Sequence, residues 1–543
     1  MPILNAPDSG DRGERMNRRG LLRWMGLGTA ATALAAVGSR YAWRPPTPQV
    51  REPSTFVADV EFALTAAPGE VQLLPGALTR VWQFTGRVVK GPADALQPAR
   101  ESYLGPTIRV RRGQKVRVRF LNRLPEPSIV HWHGLDVPSV MDGHPRLAIS
   151  ENSEYVYEFE VANRSGTYWY HPHPHTRTGA QVYRGLAGLF LVTDDEEAAL
   201  KLPSGEHEIT CVLQDRRFDS GNQLVYLEPG MTAMMEAMHG FFGDRVLVNG
   251  RERPTWSLAT RAYRLRVLNG SNARIYKLAW SDRTPMTVIG GDGGLLERPL
   301  VQRYVTLAPA QRVDLVVDLS KRPVGTSLSL RSEAFPSTET DSMAAGGGMA
   351  RGRGRGRGMR GPMAAPQVSV PSGTALTLLD IRVARAESAP FTLAPRLATF
   401  DSKWQPVPSA SVRRIPLSFQ AGQWLLGGRT FDMLGAEPDE TVVGGSSHIW
   451  EFANTGGMMG MQMAHPIHLH GPQFRVLSRT RSSALSLHEG IVDAGWTDTV
   501  LVMPGDTVRI QVTFTQHPGL YLYHCHLLEH EDMGMMRNFR VTA

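Results

Sequence analysis

Gly519-Leu520-Tyr521-Leu522-Tyr523-His524-Cys525-His526 is the stretch on which the reading of this chain turns. Its residues alternate with a period of two, so it reads as a strand with both faces furnished. The pattern occurs earlier as Gly166-Thr167-Tyr168-Trp169-Tyr170-His171-Pro172-His173. A second pair of segments matches in the same order: Val130-His131-Trp132-His133-Gly134 and Ile467-His468-Leu469-His470-Gly471. Two matches in one order make the first and last parts of the chain copies of one unit. The middle repeats only a strand theme, Tyr263-Arg264-Leu265-Arg266-Val267-Leu268-Asn269-Gly270, without His-x-His.

Working outward, short β-branched runs such as Val116–Phe120 and Val508–Val512 dominate after residue 55, punctuated by Gly and Pro. The expected class is all-β, in three Greek-key sandwiches at about 50–195, 196–385 and 411–543, with a Pro- and Ala-rich linker at 386–410. An insertion at 337–372 interrupts the middle unit. It holds the Arg-Gly run 351–358 with Met343, Met349, Met359 and Met363, and reads as a solvated surface loop.

The four His-x-His pairs carry chemistry. Residues i and i+2 of a strand share a face, so each pair aims two imidazoles at one place. Eight neutral imidazoles suit copper, zinc, iron or nickel. Parity then separates a second site. Cys525 points away from His524 and His526, and His465 points away from His468 and His470. His530 follows Cys525 by five residues, and Met535 follows His530 by five. Cysteine, two histidines and a distant methionine are the ligand set of a blue-copper electron-transfer centre. Adjacent residues thus join two metal sites, an arrangement that suits one-electron donors feeding a many-electron reaction such as dioxygen reduction.

Composition narrows the alternatives. Of 543 residues 42% are hydrophobic and 20% charged, which excludes wholesale disorder. Two cysteines against 17 histidines and 22 methionines exclude a disulfide framework and a Cys-rich zinc scaffold. The net charge of +8 would suggest nucleic acid as a partner. However, residues 1–44 and 341–363 each carry +4, leaving the body balanced, so no nucleic-acid partner is expected. Residues 1–44 read as a signal region: Arg18-Arg19 precedes an apolar, Ala- and Gly-rich stretch to Gly38, and Pro45-Pro46 follows. This is the pattern of a twin-arginine export signal. It places the mature protein in the periplasm or otherwise outside the cytoplasm, with no stable membrane insertion.

At these residues the chain resembles the multicopper oxidases. The four His-x-His segments, His465-Pro466-Ile467-His468 and the run His524 to Met535 look like that family's four copper motifs. Phe242-Gly243-Asp244 and Gly291-Asp292-Gly293-Gly294-Leu295-Leu296 are most similar to its bacterial three-domain laccase-like and cuprous-oxidase branch. The resemblance implies three cupredoxin sandwiches, four copper ions and four-electron reduction of dioxygen to water; a monomer is expected. It implies a type 1 copper on His465, Cys525, His530 and Met535, and a type 2 copper on His131 and His468. The type 3 coppers fall to His133, His171 and His526, and to His173, His470 and His524. Asp142 and Glu531 match the family's proton-relay positions, so Asp142, Glu531 and Cys525 are the candidate catalytic residues.

The reducing substrate stays open between metal ions, copper(I) first, and phenols or aromatic amines. Met458, Met459, Met461 and Met463 precede His465, and Met231, Met234, Met235 and Met238 form a second group. Thioethers suit copper(I). Two departures from the cuprous-oxidase pattern count against this. Met461 stands where an acid is expected, and the third unit lacks the long Met-rich helix, which should leave the type 1 edge uncovered. The rival readings are a copper-free cell-division relative, disfavoured because every ligand position is filled, and a copper nitrite reductase.

Overall fold

In Lys115–Asn122, Val116, Val118, Phe120 and Asn122 turn inward while Arg119 faces solvent, the period of two that the sequence displays. The computed structural model describes residues 55–99, 101–228, 230–341, 370–400, 407, 412–454 and 462–543, all within one compact unit, Pro48–Ala543. Their strands form six sheets, two in each of three successive sandwiches: four and five strands, then seven and five, then five and five.

Each sandwich contains the same two crossovers, one per sheet. Val60–Val71 runs parallel to Lys115–Asn122, and Thr107–Arg111 to Gly188–Thr193. In the middle, Glu208–Arg216 runs parallel to Ala262–Asn269, and Thr255–Ala259 to Leu376–Arg385. In the last, Val412–Gln420 runs parallel to Ser447–Ala453, and Thr441–Val443 to Met536–Thr542. Parallel neighbours cannot be joined by a hairpin, so the chain must cross between sheets, as Greek keys do. The middle unit, with no His-x-His, is therefore a third copy of the cupredoxin-like plan.

Apolar packing holds the strands in place. The last core gathers Trp424, Trp450, Ile467, Val500, Tyr521, Tyr523 and Phe539. Each fully buried aliphatic chain contributes about 1.5–3 kcal/mol, so strand position is set by these residues and not by the imidazoles. Cys211 is buried in the middle core beside Leu213, Leu265 and Leu278, as a packing residue.

The first and middle sandwiches meet across a buried charge cluster, where Arg109 reaches Glu208 at 2.8 Å and Arg266 Nη1 donates to Thr167 Oγ1 at 3.1 Å. Arg264 reaches Asp314 at 2.6 Å and Glu197 at 2.9 Å, and Arg266 reaches Glu208 at 2.7 Å. Burial alone would raise the Glu208 carboxyl, but Arg266, Arg264 and Arg109 outweigh it and hold it down at about 2.

The candidate export signal, the Met/Arg/Gly run at 342–369, and Met458, Met459 and Met461 lie outside the described residues. Among the described residues no helix is long and apolar enough to cross a membrane.

Candidate metal centre

Two equivalent strand pairs carry the histidines. Val130–His133 lies antiparallel to Gly166–Pro172, with His131 opposite His171 and His133 opposite Trp169. His465–Leu469 lies antiparallel to Gly519–Cys525, with His468 opposite His524 and Leu469 opposite Tyr523. The residues just beyond are fixed alike: His173 donates its amide to Ile129 (3.0 Å), and His526 donates its amide to Pro466 (2.6 Å). The register of the duplicated unit brings four imidazoles from each copy to one place.

All eight are buried. His131 and His468 bring their Nε2 atoms to 3.3 Å, as do His173 and His524, and His470 and His524 approach to 3.1 Å. His133 Nδ1 lies 3.4 Å from His171 Nε2, and the His526 ring centroid lies 5.1 Å from His133 and 5.4 Å from His171. Two stacked pairs, His131/His470 and His133/His468, join first-sandwich rings to last-sandwich rings. Burial pushes His171 down to about 3 and His173 to about 4, and it lowers His131, His133, His468, His470 and His526 as well. They are neutral near pH 7 and keep a lone pair for a metal.

In six of the eight, His173 and His526 excepted, an oxygen holds one ring nitrogen, which decides which nitrogen faces inward. His131 donates Nδ1–H to the Asp142 carbonyl (2.6 Å), and His470 donates Nδ1–H to Asp142 Oδ2 (2.7 Å). His468 donates to the Asp498 carbonyl (2.9 Å), His171 to that of Pro172 (2.9 Å) and His524 to that of Cys525 (3.1 Å). Asp142 Oδ1 has no hydrogen-bond partner. Burial, and then Asp136, push the Asp142 carboxyl well above the ordinary range. Glu531 lies 3.2 Å from His524 Nδ1 and 3.5 Å from His173 Nε2. Burial opposes its anion, but His173 and His524 hold it well below the ordinary range.

On the opposite face of the strand, Cys525 Sγ lies 3.4 Å from His465 Nδ1 and 3.8 Å from His530 Nδ1. Leu528–Asp532 forms a short helix carrying His530, and Gly534, at φ +93°, turns the chain back. Met535 then donates its amide to His530 (2.9 Å) and accepts from that of Cys525 (3.0 Å), so it is buried beside the thiol. Burial pushes the Cys525 thiol far up and His530 down to about 3. A thiolate here needs a cation beside it, and the neutral imidazoles supply lone pairs without charge. The donor sets therefore fit copper: sulfur with two nitrogens at one site, an all-imidazole cluster at the other. His526, buried with both ring nitrogens lacking a hydrogen-bond partner, fits a metal-facing role.

Family models described as multicopper oxidase match residues 88–197 and 411–543. A multicopper oxidase of Staphylococcus haemolyticus is 31% identical over 439 residues, covering 81% of this chain and 82% of its own length. The chain belongs to the multicopper oxidase family. A laccase of Bacillus subtilis is 29% identical over 516 residues, covering 86% of this chain and 90% of its own. The crystal structure of the McoA multicopper oxidase from the hyperthermophile Aquifex aeolicus superposes with a TM-score of 0.72 at 32% identity, over 90% of this chain and 97% of that one. The protein is accordingly a copper oxidoreductase that uses oxygen.

Within this oxidase Met463, a candidate copper(I) thioether, is packed in the last core, and its backbone bridges to Asp341. One expectation is corrected: the edge of the thiol site, expected to be uncovered, lies under a helix, where His530 donates Nε2–H to the Met238 carbonyl (3.0 Å) of Met231–His239. This helix comes from the middle unit and ends at Gly240, at φ +84°, and a nine-residue element leaves little periodicity to read. Where the third-unit helix is missing, Gln423–Leu426 instead forms a hairpin with Val412–Gln420, and its Trp424 stacks on His530 at 4.4 Å.

Sequence reasoning also missed residues that serve the oxidase's cluster. Asp498 Oδ1 accepts from His133 Nε2 (3.0 Å) and is paired with Arg312. Burial opposes the Asp498 anion, but Arg312 outweighs it and holds the carboxyl below its ordinary range. Trp169 lies 4.2 Å from His171 and 5.0 Å from His133. The available signal was a charge at the head of a strand-like run, Arg312 before Val313-Asp314-Leu315 and Asp498 before Thr499-Val500-Leu501.

Proposed function

We propose that the oxidase couples four one-electron substrate oxidations to the reduction of dioxygen to two waters. His465, Cys525, His530 and Met535 would hold a type 1 copper, and His131 and His468 a type 2 copper. His133, His171 and His526 would hold one type 3 copper, and His173, His470 and His524 the other. When bound, these ions accept single electrons at the thiolate site and gather them for dioxygen at the histidine cluster.

One observation carries this reading: Cys525 is bonded through its own backbone to His524 and His526. An electron leaving the sulfur side reaches the cluster along the chain, without a jump through space. Asp142 and Glu531 supply protons in this account. The free Oδ1 of Asp142 lies 3.5 Å from His131 Nδ1, and Glu531 bridges towards His173 and His524, so each carboxylate can pass a proton to the cluster's edge.

For the reducing substrate we favour a metal ion, copper(I) first, over phenols and aromatic amines. The helix over His530 carries Met234, exposed to solvent, and Met238, while His465 and His530 are themselves buried. A thioether-bearing cover suits a soft cation better than a bulky ring. The paired arginines at 18–19 support a location for this activity outside the cytoplasm. Oxygen uptake by copper-loaded protein with copper(I), iron(II), manganese(II) or a phenol tests the preference. A phenol rate above the copper(I) rate would reverse it.

A further inference from the structure

We propose that Arg312 and Asp498 form a clamp that selects the ring nitrogen His133 turns to the cluster. Through this clamp the middle sandwich, which contributes no cluster histidine, takes part in building the site. The proposal rests on the cluster reading above.

His133 is held differently from its neighbours. His131, His171, His468, His470 and His524 all give Nδ1–H to an oxygen and keep Nε2 for the cluster. His133 gives Nε2–H to Asp498 Oδ1 at 3.0 Å, leaving Nδ1 as the inward lone pair, 3.4 Å from His171 Nε2. The hydrogen bond on one imidazole nitrogen fixes which nitrogen can bind metal. The Asp498 carboxylate thus sets the choice at His133, and its own carbonyl sets the opposite choice at His468, the ring stacked on His133 at 3.6 Å.

Asp498 needs a fixed position to do this, and Arg312 provides it. Arg312 is fully buried, and each of its five guanidinium N–H groups has an acceptor. Nε donates to the Thr167 carbonyl (2.9 Å) on the first sandwich's His171 strand. Nη1 donates to the Ala310 carbonyl (3.0 Å) and Asp498 Oδ1 (2.9 Å), and Nη2 to the Asp292 carbonyl (3.0 Å) and Asp498 Oδ2 (2.5 Å). Asp292 Oδ1 in turn accepts from the Arg312 amide (2.7 Å), and its Oδ2 accepts from Thr497 (2.5 Å). One fork therefore ties all three sandwiches at the residue that orients His133. Gly134 makes room: at φ +88°, a Cβ there would press on Asp498 Oδ2 and Arg312 Nη2. The charge cluster of Arg264 and Arg266 also joins sandwiches, but its acceptors are Glu197, Glu208 and Asp314 and Thr167, with no imidazole among them.

The test uses full-length, copper-loaded Asp498→Asn and Arg312→Lys, with Arg264→Lys as a control that loosens a buried ion pair elsewhere. In Asp498→Asn one amide oxygen replaces two acceptors. Arg312 takes that oxygen by the stronger, charge-assisted bond. The amide N–H then faces His133 Nε2, which moves the imidazole proton to Nδ1 and blocks the inward lone pair. Copper titration of metal-depleted protein should show cluster affinity reduced 10–100-fold. The paramagnetic spectrum of the type 2 copper should change, while the blue absorption per mole of protein is retained. Arg312→Lys, which keeps the charge but not the fork, should lose less, and Arg264→Lys should match the wild type. Wild-type copper content and spectrum in Asp498→Asn would overturn the proposal. So would a fall of the blue absorption in step with cluster copper, which would make the pair a staple alone. A wild-type protein without a copper cluster would instead refute the reading on which the proposal stands.

Discussion

His524 and Cys525 are consecutive residues that serve different centres: His524 Nε2 lies 3.1 Å from His470 Nε2, and Cys525 Sγ lies 3.4 Å from His465 Nδ1. The strand's alternation makes this division, and the peptide between the two residues joins the centres.

Replacing Cys525 by Ser removes the soft sulfur donor and leaves the fold, since the thiol fills only a small part of the last core. The variant should lose its blue absorption and its oxygen uptake together, while copper remains on the histidine cluster. A visible spectrum and a copper assay check this.

Asp142→Asn separates proton supply from electron supply. The amide can still accept from His470 Nδ1 but cannot release a proton as a carboxyl does. Oxygen reduction should slow by about 10²-fold or more. The blue absorption should remain and should still bleach at the wild-type rate when reductant is added without oxygen. Normal turnover would remove Asp142 from the relay.

Gly143 sits at φ +87° with the Val130 carbonyl and the His131 backbone against the place where a Cβ would be. Gly143→Ala therefore meets backbone on one side and left-handed strain on the other, the latter alone about 1–2 kcal/mol. Thermal unfolding should move down by several degrees. Copper loading should fall as well, because Asp142 is displaced from His131 and His470.

Three sandwiches, the eight-imidazole cluster and the thiol site could all be read from the chain before any coordinates. The reason is physical: strand parity is local, so His524-Cys525-His526 states both faces by itself, and the duplicated segments state which strands meet. What escaped depends on contacts between distant segments. Arg312 and Asp498 form a pair only through the junction of three sandwiches, and nothing near either residue in the sequence announces the other. The helix Met231–His239 escaped because its cover over His530 is made by a backbone carbonyl, that of Met238, which no residue type encodes.

The buried charge cluster sets an acid limit. Glu208 titrates at about 2 in the folded protein against an ordinary 4.5, with its side chain 6% exposed. The folded value is the lower one, so the contribution, about 3 kcal/mol, is present above pH 4.5 and is lost as pH falls towards 2. Glu208→Gln should be less stable near neutrality and should show a flatter loss of stability between those limits, read by denaturant unfolding at a series of pH values.

In the proposed function, electrons taken singly at Cys525 are spent four at a time on dioxygen at the histidine cluster. The measurement closest to it is the ratio of substrate oxidised to oxygen consumed by copper-loaded protein, with peroxide assayed in the same vessel. The expected result is four equivalents of a one-electron reductant per dioxygen and no peroxide. Two equivalents per dioxygen with accumulating peroxide, or no oxygen uptake from a fully copper-loaded protein, would contradict it.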